Sequence, residues 1–419
     1  MRRTTVVLVI LALGTSASAS SHTAGTPRAS SPVRAEIAEP AAVSPGACPG
    51  VPRQADQLRP VTVRGSRWRL VSLDDSRGYL DGGTITPDGT LWALHGTPDA
   101  MGDHLVARRW DGRTWTQLPR VPSAPGADQA LAAASRDVAW IVTHPRGEGD
   151  TYAPRTLSAW NGTAWQTVPL HLRPGPDDPH SSAQGPWVVA GDQSMRWDGT
   201  RWRSAPLPAP GYSVGGTDDE PWVVGEMPLG GTGGERTRVA RWTGSAWQDV
   251  PMPDLRLPSD AEPEHGNVGT RHVEAAVRTG PAEFWALGSF EWVEHDAEEG
   301  EDVFPRRPLA MRNVSGVWTC FWGPTAEPGS GDAMPGFGDA APDGRGGLWS
   351  TTGRYDSERG SLWHLSGGRW TLEFIPVPDG GHAVVYDLVS RDRTIYALGS
   401  IFKDAGTSAG RAALWRLSQ

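Results

Sequence analysis

Apolar and polar residues alternate along most of this chain in short runs, and the runs are broken by Pro-Asp-Gly, Asp-Gly and Asn-Gly. That is the pattern of β-strands joined by tight turns. In the first clear unit it predicts four strands, Tyr79–Thr86, Thr90–Leu94, Leu105–Trp110 and Thr114–Leu118. The unit then recurs. Seven second strands read LWALHG, VAWIVTH, PWVVAG, PWVVGE, FWALGS, LWSTTG and IYALGS, starting at Leu91, Val138, Pro186, Pro221, Phe284, Leu348 and Ile395. Each leads into a third strand; hairpins with a Trp follow in ARRWDGRTW, SAWNGTAW, MRWDGTRW and ARWTGSAW, and more loosely in AMRNVSGVW and SLWHLSGGRW. The last copy, ALWRLSQ, stops at the C-terminus, and its missing half, GSRWRLVSL, lies at Gly65–Leu73. Self-similarity at a period near fifty residues marks a solenoid or propeller. A repeat divided between the two ends is what a closed ring requires. The expected fold is therefore all-β: a seven-bladed β-propeller of four-stranded antiparallel blades, the last blade closed by an N-terminal strand.

The hairpin between third and fourth strands has a definite expected register. Trp110 and Trp115 are five apart, as are Trp160 and Trp165, Trp197 and Trp202, and Trp242 and Trp247. Centring the turn on Gly112-Arg113 makes each Trp pair direct cross-strand partners, with Gly where a type II′ turn needs it. Of the 21 Trp, most fall in repeat slots. They read as adhesive between blades rather than as sugar-stacking platforms.

The ends of the chain change the picture next. Arg2 and Arg3 precede an apolar run over Val6–Leu13, and Ala17-Ser18-Ala19 offers a small-residue cleavage site. Residues 1–19 therefore read as a secretory signal peptide cleaved after Ala19. A twin-arginine signal fits less well, because Thr-Thr follows the Arg pair. The apolar run is too short to cross a bilayer. Residues 20–64 are rich in Ala, Ser and Pro and read as a flexible tail; residues 65–419 form the propeller, about 51 residues per repeat. The expectation is a secreted, extracellular, monomeric protein with no stable membrane insertion. A formal charge of −9 argues against nucleic acid as a partner. Two cysteines in an exported chain leave two readings, a Cys48–Cys320 bridge or two free thiols. The segment from Cys48 to Trp68 can span up to ~70 Å, so the bridge is geometrically open.

The segments RWDG…W…P-x-P after a strand ending in Gly resemble kelch-type propellers, including the central domain of galactose-oxidase-like proteins. The resemblance covers roughly 65–419 and implies a propeller of this kind. It departs from the family in lacking the double glycine of a full kelch second strand. No copper site is carried over, since Cys320 follows Trp318 in a fourth strand. The hairpins also resemble the Asp-box of sialidase-type propellers, one residue short of its spacing.

Candidate chemistry is sparse. First–second and third–fourth turns are tight, and both belong to one face of the ring. The other face is expected to carry long loops over Gly96–Asp103, Pro145–Pro154, Glu226–Arg238, Asp254–Thr270, Phe290–Pro308 and Pro324–Pro335. Binding residues concentrate on such loops, so this is the expected working face. Its candidate binding residues are His95, His144 and His382, at strand ends near the central channel, and Glu226 at the start of a loop. The acidic run EWVEHDAEEGED, Glu291–Asp302, lacks the spacing of a calcium loop and reads as a solvated loop. No Ser-His-Asp elbow, phosphate loop or zinc motif is present, and no cofactor or metal is expected. The function these features imply is a recognition module for an extracellular glycan, peptide or protein. A propeller glycoside hydrolase or lyase acting on polysaccharide is the alternative.

Overall fold

A computed structural model describes residues 48, 61–62, 66–97, 104–121, 128–144, 156–168, 181–184, 186–216, 219–229, 234–259, 269–280, 282–296, 301–323, 336–352, 360–378, 381–403 and 410–418. The signal peptide, its cleavage residue Ala19 and most of the tail lie outside them.

Every regular element among the described residues is a strand. Blade one pairs Tyr79–Ile85, Leu91–Thr97, His104–Trp110 and Trp115–Gln117 in order, and blade two does the same with Asp128–Ser135, Val138–His144, Thr156–Trp160 and Trp165–Val168. Blade five is built from Thr270–Gly280, Glu283–Glu291, Arg306–Val314 and Val317–Trp322. Blade six uses Phe337–Pro342, Leu348–Thr352, Ser361–Ser366 and Arg369–Phe374.

Blades three and four share one sheet. The segment Trp187–Trp197 doubles back at Gly191-Asp192, because the Trp197 N–H donates to the Pro186 carbonyl at 2.8 Å. It therefore supplies two blade strands. Trp202–Gly216 likewise gives blade three its last strand, paired to Gln193–Trp197, and blade four its first, paired to Pro221–Val224. A single contact of Gly191 with Gly211 joins the two blades into a continuous sheet.

Blade seven closes the ring as the split repeat requires. His382–Arg391, Thr394–Phe402 and Arg411–Leu417 are followed at the outer edge by Trp68–Arg77, with Trp68 opposite Leu417 and Leu70 opposite Trp415. The core confirms the count. Seven apolar clusters occupy seven seams, each drawn from two neighbouring blades. The closing seam packs Leu80, Leu91 and Trp110 of blade one on Val389, Tyr396 and Leu414 of blade seven. No helix among the described residues is long and apolar enough to cross a membrane.

The N-terminal segment binds the outside of the ring at three successive blades. Cys48 is disulfide-bonded to Cys320 on blade five, with Cα atoms 5.2 Å apart. Val61–Thr62 runs parallel to the outer strand of blade six, Val61 opposite Thr371. Trp68–Arg77 then enters blade seven.

Two loop expectations are corrected. Residues 226–238 are not a long loop: strands Pro221–Leu229 and Gly234–Trp242 remain paired up to Leu229 opposite Gly234. The backbone ladder continues past Gly225, each further residue pairing across to the partner strand, so the turn is confined to the Gly-rich tip. In the acidic run, Glu294–Asp296 and Glu301–Val303 pair as a small hairpin, anchored by buried Trp292, whose indole donates to Glu294 at 2.6 Å.

Candidate functional site

The innermost strands leave a central channel of about 940 Å³ that opens among the first–second turns, with Pro87, Pro342 and Asp392 at its rim. Apolar seams need small or branched residues along these strands, so a charged residue there stands out. Asp81, Asp339 and Asp387 occupy the inner strands of blades one, six and seven, which are neighbours in the closed ring. Each sits at a register shift of its strand. An irregularity of this kind re-aims a side chain, and here it turns three carboxyl groups toward one another.

Their contacts cross the seams. Asp387 Oδ2 accepts the Gly83 N–H of blade one, and Asp339 Oδ2 accepts the Leu388 N–H of blade seven. Asp339 and Asp387 also share a side-chain hydrogen bond. Asp81 Oδ1 accepts the Gly82 N–H at 2.7 Å. Burial removes the water that would stabilise each charge, and neighbouring carboxylates repel one another. Burial and then the charge of Asp387 push Asp81 up to about 6. Burial and the charge of Asp339 hold Asp387 well above the usual carboxylate range, and burial raises Asp339 against the hydrogen bonds it accepts. The group therefore holds protons to higher pH than ordinary aspartates do, and a carboxyl that keeps its proton donates as well as accepts a hydrogen bond. Tyr386 beside it packs on Tyr79 with ring centroids 5.3 Å apart.

The residues expected from sequence lie elsewhere. His95 ends the second strand of blade one, opposite Leu80 and Val106, and is 3% exposed. A Cβ added at Gly78 would come within 2.7 Å of its Nε2, so the imidazole fills space that only glycine leaves free. Burial, then the charge of Arg108, lowers it to about 4, against a raising pull from Asp74; it is a neutral imidazole. His382 opens the inner strand of blade seven opposite Phe402 and is half-buried. His144 ends the second strand of blade two opposite Asp128, and Glu226 pairs with Thr237 in blade four, next to Gly225 opposite Arg238. The backbone places His95 and His144 at the long-loop ends of adjacent blades. Among the described residues no three His, Cys, Asp or Glu side chains group as metal ligands.

Sequence reasoning missed the three aspartates. Their signal was available: YLDGGT, GFGDAAP and VYDLVS each put one acid inside an apolar inner strand. What hid it was the absence of a fixed spacing, since Asp81 meets Asp339 and Asp387 only when the ring closes.

No family model matches the chain, and no curated protein matches it either. Among solved structures it is similar to hydrazine synthase of Kuenenia stuttgartiensis, at 10% identity over 82% of this chain and 99% of that one, with a TM-score of 0.49. It is similar to the GH93 α-L-arabinofuranosidase of Fusarium graminearum, at 11% identity over 84% and 98%, TM-score 0.45. The extracellular domain of a protein assigned as a one component system in B. thetaiotaomicron gives 13% identity over 83% of this chain, TM-score 0.42, and the chain spans only 39% of its length. Identities this low carry nothing about activity. By its own strand pairing and seven apolar seams, the chain is an all-β protein of the β-propeller fold.

Proposed function

We propose that this chain is a secreted, single-copy recognition module that binds an extracellular glycan, peptide or protein on its long-loop face and performs no chemistry on it. The observation that supports binding over catalysis is the hydrogen bond between Asp339 and Asp387. Paired glycosidase carboxyls stand about 5–9.5 Å apart so that a sugar or water fits between them. Two carboxyls in direct contact leave no such gap, and both are occupied by main-chain N–H groups of the next blade. They serve the ring. The reading includes cleavage after Ala19, export, and a kelch-type origin for the RWDG…W…P-x-P hairpins, which rests on those motifs alone.

His382 and the exposed Phe304 on the blade-five insertion are the described positions best suited to a test. On an array of polysaccharides, the wild type is expected to bind without releasing product, and His382→Ala with Phe304→Ala to reduce binding at least several-fold. Undiminished binding after substitution across all the long loops would refute the assignment.

One observation favours the alternative. Asp81, held near 6 at the channel wall, is poised as a general acid. Under that reading a polysaccharide panel would show turnover, and Asp81→Asn would abolish it while leaving the fold intact.

A further inference from the structure

A second cavity, of about 410 Å³, lies between blades six and seven beside the tight first–second turns. Its lining brings together Arg67 from the closing strand, Arg345 from the blade-six turn and Arg393 from the blade-seven turn. Asp343, His364 and Ser366 complete the polar wall.

The polar groups of the wall are already engaged with one another. An Arg can only donate and a carboxylate can only accept. His364 Nδ1 faces Arg67 Nη2 at 3.2 Å, and its Nε2 faces Asp343 Oδ2 at 3.0 Å. Both ring nitrogens are therefore occupied by protein partners and neither is left for a ligand. Arg67 is also tied to buried Glu373 through Nε at 3.1 Å. The Asp343 and Glu373 carboxylates outnumber the Arg67 guanidinium by one charge, and the turn arginines Arg345 and Arg393 more than offset that excess, leaving the cavity positive at its mouth. Trp349 offers no stacking face: Arg67 covers its ring at 4.7 Å and His364 stacks on it at 4.3 Å.

We propose that this seam cavity binds a sugar acid, that is, a polyhydroxylated carboxylate. Guanidinium forks recognise a planar carboxylate. The Asp343 carboxylate is engaged by the Arg345 and Gly347 N–H groups and by His364, so its negative charge opposes a dianion such as phosphate, while the Ser366 hydroxyl suits a ligand hydroxyl. The missing aromatic platform argues against a neutral sugar held by stacking, and the volume is in the range of small-molecule sites. The site does not depend on the long-loop assignment, since it lies at the opposite turns and joins different residues.

Isothermal titration of the full chain with D-glucuronate, D-glucose, acetate and inorganic phosphate tests it. Glucuronate is expected to bind more tightly than the other three and more weakly as salt rises. Arg345→Ala with Arg393→Ala should weaken glucuronate about tenfold or more, as for a lost charge-assisted hydrogen bond. Both positions are exposed turn residues, and an unchanged melting temperature would show that folding is intact. Glucuronate binding no tighter than glucose, acetate or phosphate, or unaffected by the double substitution, would overturn the proposal. Because the array test reads loop variants, either result can fail without the other.

Discussion

At the residue scale, the channel aspartates make the ring sensitive to pH in an unusual direction. Asp81 has a folded-state value near 6 against an ordinary 3.8. A carboxyl raised on folding favours the folded ring fully below about pH 4, and that contribution is lost as pH rises through about 6. Asp81→Asn removes the penalty while keeping an acceptor for the Gly82 N–H. It should stabilise the protein at pH 7.5 by on the order of 1–2 kcal/mol and change little at pH 4. Urea midpoints of the two proteins at both pH values decide it, and an equal difference at each would show that no raised carboxyl is involved. The hairpin carboxylates behave oppositely. Thr114 and Arg113 main-chain N–H groups hold Asp111 below its ordinary range, and the Thr200 hydroxyl with the Arg201 and Thr200 N–H groups does so for Asp198. Both sit on hairpin turns at the surface, so they define turns rather than supply stability.

At the element scale, two contacts recur and explain what the repeat letters do. An Arg near the end of the third strand recurs in several blades, and it lies directly opposite the second-strand aromatic. Arg109 faces Trp92, Arg241 faces Trp222, Arg312 faces Trp285 and Arg416 faces Tyr396, with guanidinium carbons 5.6, 5.9, 5.6 and 5.8 Å from the rings. Blade six places His364 there, stacked on Trp349. The second contact uses the P-x-P tail. Pro119, Pro251 and Pro376 present their carbonyls to the indoles of Trp165, Trp318 and Trp415 in the following blade, at 2.9, 2.7 and 2.9 Å. Proline has no N–H to donate to a ladder, so the fourth strand ends there and its last carbonyl turns to the neighbouring blade. Trp318→Phe keeps the ring in its pocket but deletes the donor, and should cost about 1 kcal/mol. A Trp318 variant with the wild-type urea midpoint would mean that the indole bond contributes nothing to blade attachment.

At the scale of the whole molecule, stability depends on how the two ends of the chain are fastened. Glu373 of blade six is completely buried and receives both the main-chain N–H and the Nε of Arg67 on the closing strand. Glu373→Gln weakens two charge-assisted bonds, and about 1–3 kcal/mol should be lost. Limited proteolysis should then cut the closing strand faster; unchanged protection would show that sheet pairing alone holds it. The disulfide acts further out, joining residues 272 apart in sequence. Restricting so long a loop in the unfolded chain stabilises the ring by about 2–5 kcal/mol. Cys48→Ser with Cys320→Ser should lower the melting temperature while leaving the β-sheet circular dichroism unchanged at 25 °C. An identical melting temperature would assign the bridge no part in stability.

Seven copies of the second strand, and a repeat broken across Trp415 and Trp68, determined the architecture from sequence alone. Strand period, turn glycines and five-residue Trp spacing are local properties, readable without knowing what lies beside them. The hairpin register was legible for the same reason: Trp110 is opposite Trp115, and Trp242 opposite Trp247. The extent of the blade-four ladder was not, because the Gly-rich PLGGTGG segment lacks the apolar alternation that marks a strand, although Glu226 and Thr237 are cross-strand partners. The channel carboxyls, the Arg67–Glu373 clasp and the seam cavity belong wholly to the tertiary structure. Each is assembled from blades far apart in the chain, and a carboxyl's proton affinity is set by the charges and water around it, which closure of the ring alone decides.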